Sequence, residues 1–176
     1  MKIRLPLIPI FAALVLSGCG QKDSTSAGAA TAAAAPAPAA GPRVIEITAN
    51  DTMKYTIGEK QSGPDANLTI EAKAGEQLKI VLTNTGTLPK EAMGHNWVLL
   101  KAGTDVAAFD AAAAMAKEQD YVPVALKDQI VANIGLLGPR KSGEVVFTVP
   151  APGAYPFLCT FPAHFQIGMK GTLVVK

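Results

Sequence analysis

Two short segments hold the side chains of this 176-residue chain that could do chemistry together. The first is Met93-Gly94-His95-Asn96-Trp97. The second is Cys159-Thr160-Phe161-Pro162-Ala163-His164, followed after four intervening residues by Met169-Lys170-Gly171. Both histidines of the protein fall in them, with one of its two cysteines. A thiolate is a soft ligand, imidazole is intermediate, and a thioether is weak and soft. Two His and one Cys in a near-trigonal plane, with a distant Met, suit both oxidation states of copper, so little rearrangement accompanies electron movement. Four-coordinate zinc would call for a harder or a thiolate ligand in place of Met169. A Cys159–His164 nucleophilic pair is the enzymatic alternative. Against it, no oxyanion motif is evident, and Ser62 and Ser142, the domain's serines, stand in no nucleophile-elbow motif.

Elements with a two-residue period must position these side chains. Short β-branched or alternating runs occur at Val44–Ile47, Leu68–Ala72, Leu78–Leu82, Trp97–Leu100, Val145–Val149, Tyr155–Leu158 and Leu173–Val175, punctuated by Gly, Asn, Asp and Pro. The pattern predicts an all-β antiparallel sandwich over residues 43–176. Cys159 then ends one strand and Met169 precedes the next. The loop between them can bring Cys159, His164 and Met169 to one point, and His95, beside a strand start, can supply the fourth group. Trp97 reads as core. Pro156 lies inside a run, so its missing N–H should face outward or mark an irregularity. One Ala-rich stretch, Asp105–Gln119, interrupts the strands and predicts a helix capped by Thr104 or Asp105.

These segments resemble the azurins. Met-Gly-His-Asn-Trp and Cys-Thr-Phe-Pro-x-His with a downstream Met-Lys-Gly are hallmarks of that blue-copper family. The likeness covers most of residues 43–176, including Asn50-Asp51-x-Met53, Leu88-Pro89-Lys90 and the helical insertion. It implies a cupredoxin-type Greek-key β-sandwich with one inserted helix, and one copper ion alternating between Cu(I) and Cu(II). The implied activity is single-electron transfer, with no enzymatic turnover. His95, Cys159 and His164 would be the equatorial ligands, Met169 the axial thioether, and the Gly94 carbonyl a long, weak contact on the opposite side. Asn96 would hydrogen-bond across to the ligand loop and fix its geometry. The Phe161 N–H would donate to the Cys159 sulfur, while Pro162, lacking an N–H, withholds a donor. Met53, Leu88, Met93, Phe161 and Ala163 would ring an exposed edge of His164. Such an apolar patch allows brief docking of redox proteins such as c-type cytochromes or reductases.

The chain also departs from the azurins. Four residues separate His164 from Met169 where azurins have three, a spacing that resembles auracyanins and plastocyanins. Ala163 replaces the usual Gly. The azurin disulfide near the N-terminus has no counterpart. Loss of such a bond costs a small domain about 2–5 kcal/mol, so packing must compensate.

The N-terminal part has a different character. Lys2 and Arg4 precede an apolar run, Leu5–Leu16, too short to span a bilayer comfortably. Residues 1–18 read as a secretory leader. Leu16-Ser17-Gly18-Cys19 resembles the bacterial lipobox, which implies lipidation of Cys19 and a membrane anchor. Residues 19–42, rich in Ala and Pro, lack the large apolar side chains a core needs and read as a spacer. An exported protein follows, periplasmic or at the cell surface; in a Gram-negative host, Gly20 after the Cys favours the outer membrane. Loss of the leader leaves 14 basic against 14 acidic residues. That balance excludes a nucleic-acid partner and strong electrostatic steering. With Cys19 lipidated, Cys159 has no partner in a compartment where disulfides form, and needs burial or a metal. A copper-delivery protein would share these ligands but release the ion readily. A non-metallic adhesion module would leave the thiol and both imidazoles without a task.

Overall fold

The computed structural model describes residues 41–176. The leader, Cys19 and almost all of the spacer lie outside the described residues. The strands are β1 (Arg43–Asn50), β2 (Lys54–Ile57), β3 (Lys60–Gln61), β4 (Leu68–Ala72), β5 (Gln77–Asn84), β6 (His95–Leu100), β7 (Ile130–Leu137), β8 (Ser142–Thr148), β9 (Gly153–Leu158) and β10 (Lys170–Val175). The helices are a single turn, α1 (Lys90–Met93), and α2 (Val106–Ala114). Two five-stranded sheets form, in the orders β3-β2-β1-β5-β8 and β4-β10-β9-β6-β7. β1 runs parallel to β5 and β4 parallel to β10; the other pairs are antiparallel. The fold is the β-sandwich of cupredoxin type that the azurin resemblance implied; the antiparallel pairing expected from the strand pattern holds except at β1–β5 and β4–β10.

Alternation decides which side chains enter the core. In β5, Leu78, Ile80, Leu82 and Asn84 are buried, and the residues between them are more exposed. β6 is different: all six residues of His-Asn-Trp-Val-Leu-Leu are buried, because it is covered on both faces. Trp97 and Leu99 join the main core with Tyr55, Ile80 and Phe157. Val98 and Leu100 join a second cluster with Phe109, Ala113 and Leu158, beneath α2. The helix therefore covers the outer face of β6. Each large apolar side chain buried in this way stabilises the fold by about 1.5–3 kcal/mol.

The Ala-rich stretch folds differently from one long helix. Asp105 does cap α2, its carboxylate accepting from the Ala108 N–H at 3.0 Å, but the helix stops at Ala114. A short 3₁₀ turn follows at Lys117–Gln119, then Asp120 and Tyr121 in left-handed conformation, with φ of 52° and 59°. The left-handed pair turns the chain back toward β6. A second 3₁₀ segment, Val124–Gln129, leads into β7. β7 escapes a reading by runs because Asn133 and Gly135 look like punctuation; both are exposed on its outer face. β2 and β3 are too short to stand out. Pro156 marks an edge of pairing: β9 bonds to β6 only through Leu158 and Phe157, one residue short of the proline.

Candidate metal centre

Strand parity aims the site. On β6, Trp97 and Leu99 face the core, and His95 is buried at the strand's start. Asn96 lies with Val98 and Leu100, toward the α2 segment. The β6–β7 register shifts between His95 and Trp97, a bulge that re-aims the strand end. Cys159 continues the core-facing series Tyr155, Phe157 just beyond the end of β9. His164 arrives by the loop, its N–H donating to the Phe161 carbonyl at 3.1 Å.

These three residues converge. One ligand atom from each of His95, Cys159 and His164 lies within 4.8 Å of the others, and all three residues are buried. Cys159 Sγ is 3.4 Å from His164 Nδ1, and the two imidazole centroids are 4.9 Å apart. The backbone of Met169 closes the loop on the same point. Its carbonyl accepts from the Cys159 N–H at 3.0 Å, and its N–H donates to the His164 carbonyl at 3.0 Å. Met169 itself is fully buried. Gly94 sits where a Cβ would come within 2.7 Å of the Lys90 carbonyl and 2.8 Å of Leu136, so the approach to His95 admits only glycine.

The protonation states fit a cation. Burial holds His95 down to about 4, opposed by the Asn50 carbonyl and the Asp51 carboxylate. Burial, then the charge of His95, holds His164 down to about 4. Both rings are therefore neutral at pH 7, each with a free lone pair. Burial pushes the Cys159 thiol up to about 12. The backbone amides of Asn96 and Phe161 and the Tyr55 hydroxyl reach the sulfur and oppose that shift. Cys159 is a free, buried thiol. No well-formed hydrogen bond reaches either buried ring nitrogen of His95; the Asn50 carbonyl can take the N–H of one, and the lone pair of the other is left without a donor, which costs about 1–3 kcal/mol unless something else binds there. A soft cation would take the His95 lone pair, draw the proton from the thiol and use the third donor, so the residues fit copper.

A surrounding layer fixes the donors. Asn96 Nδ2 donates to Thr160 Oγ1 at 2.7 Å and to the Asp120 carbonyl at 3.2 Å; its Oδ1 accepts from the Thr160 N–H at 2.9 Å. Thr160 Oγ1 donates in turn to the Tyr121 carbonyl at 2.6 Å. The two left-handed residues thus present their carbonyls to the residues adjoining both ligand segments. Tyr55, buried, donates its hydroxyl to the Asn96 carbonyl. The Asn96 side chain, expected to reach the ligand loop, contacts Thr160 and the Asp120 carbonyl. Tyr55, Thr160, Asp120 and Tyr121 escaped the sequence reading, since only the fold brings them to the site.

The rim is less open than expected. His164 is 2% exposed, so its edge is covered where an exposed edge was expected. The Phe161 ring, itself buried, lies 4.7 Å from the imidazole and packs edge-on against Tyr121 at 5.1 Å. Leu88 is 42% exposed, Ala163 and Pro162 are exposed, and Met53 and Met93 are half-buried. Asp51 ties two parts of this rim, its Oδ2 accepting from the Thr87 N–H at 2.8 Å and the Thr87 hydroxyl at 2.9 Å. The turn carrying Met53 is thereby joined to the segment leading into Leu88.

A buried thiol and two neutral imidazoles at one end of a β-sandwich define a soft mononuclear metal centre. A family model for copper binding proteins, the plastocyanin/azurin family, matches residues 64–176. Auracyanin-A of Chloroflexus aurantiacus is 35% identical over 182 aligned residues, covering 100% of both chains. Auracyanin-B of the same organism is 36% identical over 131 residues, 72% of this chain and 54% of that protein, so this chain spans about half of that relative's length. The structure of dithionite-reduced auracyanin from Roseiflexus castenholzii superposes with a TM-score of 0.63 at 36% identity, covering 76% of this chain and 96% of that one. The chain belongs to the plastocyanin/azurin family of blue copper cupredoxins.

Proposed function

We propose that this protein is a single-electron carrier, exported and anchored to a membrane through lipidated Cys19. His95, Cys159 and His164 hold one copper ion, with the Met169 thioether and the Gly94 carbonyl as weak axial contacts. Bound copper supplies a one-electron couple, Cu(I)/Cu(II). The chain's own part is to keep the donors fixed while the charge changes. Asn96, through three hydrogen bonds to Thr160 and Asp120, locks the two ligand segments together. The Asn96 and Phe161 amides direct positive partial charge at the sulfur. Burial excludes water and keeps both imidazoles unprotonated.

The observation that carries this reading is the buried His95 imidazole, one nitrogen of which lies within 4.8 Å of a buried thiol and of a second imidazole. Electrons would pass through the thin cover over His164, with Met53, Leu88, Met93, Phe161 and Ala163 as the apolar docking rim. A c-type cytochrome or a reductase is the class of partner this rim suits. The test is voltammetry of the copper-loaded protein together with its absorption spectrum. A reversible one-electron wave and an intense band toward the red are expected. Copper that leaves on reduction, with no reversible wave, would indicate delivery and overturn the reading.

A further inference from the structure

Helix α2 reads Val-Ala-Ala-Phe-Asp-Ala-Ala-Ala-Ala, and Asp110 is its one polar residue. An amphipathic surface helix would point that residue at solvent. Here the placement is inverted. Phe109, Asp110 and Ala113 are the buried residues of α2, and Asp110 is 3% exposed. It stands at the stripe position four residues after Val106 and three before Ala113. Burying a carboxylate is unfavourable unless it is well bonded, and an Ala at this position would have continued the helix without that cost.

The partner of Asp110 gives the reason. Its Oδ2 accepts from Gln166 Nε2 at 2.5 Å. Gln166 is in the middle of the loop between His164 and Met169, the loop that is one residue longer than in azurins. The other end of that loop is also pinned. Gly168 has φ of 96°, and a Cβ there would stand 2.2 Å from the Gly63 carbonyl carbon and 2.4 Å from Pro64 N. Between these two points the loop's backbone closes on itself, the Gly168 N–H donating to the Phe165 carbonyl at 2.9 Å and the Met169 N–H to the His164 carbonyl at 3.0 Å.

We propose that Asp110 is a positioning residue for the copper centre: through Gln166 it anchors the lengthened His164–Met169 loop to α2 and so sets how Met169 approaches the ion. Burial, countered by the Gln166 hydrogen bond, raises the Asp110 carboxyl above its ordinary range. The amide accepts no proton from it, so either protonation state leaves Oδ2 an acceptor. The proposal rests on the copper reading only for the role of Met169; the anchoring itself is a property of the metal-free protein.

Two measurements separate these layers. The first is amide hydrogen exchange in the metal-free protein. Asp110→Leu and Gln166→Leu should each speed exchange at Gly168 and Met169 about tenfold, the effect of losing one hydrogen bond of ordinary net strength, with Ile80 unchanged. Asp110→Asn keeps an acceptor and should leave these amides at parental rates. Gln166 is an exposed loop residue, so its replacement decides the matter even where Asp110→Leu does not fold. The second measurement is the spin-resonance and absorption spectrum after copper loading, where Gln166→Leu should change the copper splitting and the red band, and Asp110→Asn should change them far less. Faster exchange confined to α2, with the loop amides and the spectrum unaltered, would reduce Asp110 to a helix-docking group and overturn the proposal. Faster loop exchange with an unaltered spectrum would contradict its metal-positioning part. A parent protein without the red band would instead sink the copper reading, while the exchange data still judged the anchor.

Discussion

Replacing Asn96 by leucine tests the brace that joins the two ligand segments. The side chain is fully buried and makes three hydrogen bonds, to Thr160 Oγ1, the Thr160 N–H and the Asp120 carbonyl. Leucine has a similar volume and fills the space, so the cavity contribution is small. Thr160 Oγ1 still donates to the Tyr121 carbonyl. The buried Thr160 N–H is left unpaired, at about 1–3 kcal/mol, while the carbonyl of the exposed Asp120 turns to water. That loss is a sizeable share of the roughly 5–15 kcal/mol typical of a whole domain. With a urea slope of about 2 kcal/mol/M, the unfolding midpoint of the metal-free protein should fall by about 0.5–1.5 M. The single tryptophan, Trp97, is fully buried and reports unfolding by its fluorescence. A midpoint within about 0.2 M of the parent, less than half of the smallest shift expected, would refute the reasoning. The Asn96 contacts would then carry no net stabilisation.

Other expectations follow from the same contacts. Copper binding should release one proton, because the metal-free thiol titrates at about 12 while both histidines are already neutral above about 4. Affinity should therefore rise about tenfold per pH unit across the neutral range; calorimetry in buffers of different ionisation enthalpy reads the stoichiometry, and release of two or three protons at pH 6 would contradict the neutral imidazoles. Gly168→Ala places a Cβ against Gly63 and Pro64 in a left-handed backbone position, and should destabilise the protein by more than about 2 kcal/mol in urea unfolding. Met93→Lys, at a half-buried rim position, should slow electron self-exchange while leaving the copper absorption nearly unchanged; an unchanged exchange rate would remove this face as the docking surface.

The fold and the ligands were legible for different reasons. β5 and β9 announced themselves because alternation of large apolar and small or polar residues is itself the sheet's two-sided environment. The candidate ligands His95, Cys159 and His164 stood out because His and Cys are few, and two imidazoles with an unpaired thiol share one explanation. β7 was hidden, since Asn133 and Gly135 occupy outward positions that a sheet tolerates but a local pattern reads as a break. The shortened α2 was hidden as well. Nothing in the run Lys117–Tyr121 signals two consecutive left-handed residues, whose carbonyls accept hydrogen bonds from Asn96 Nδ2 and Thr160 Oγ1. The same limit applies to Tyr55 and Asp110, whose roles depend on contacts 41 and 56 residues away in sequence. The covered edge of His164 likewise comes from the way Phe161 folds over it.

X-ray absorption at the copper edge of the loaded protein addresses the ligand set most directly. The arrangement of Cys159, His95 and His164 predicts one sulfur scatterer at short range, two imidazole shells, and loss of the sulfur signal in Cys159→Ala. A copper ion surrounded only by nitrogen and oxygen, or a short-range sulfur signal that survives that substitution, would contradict it.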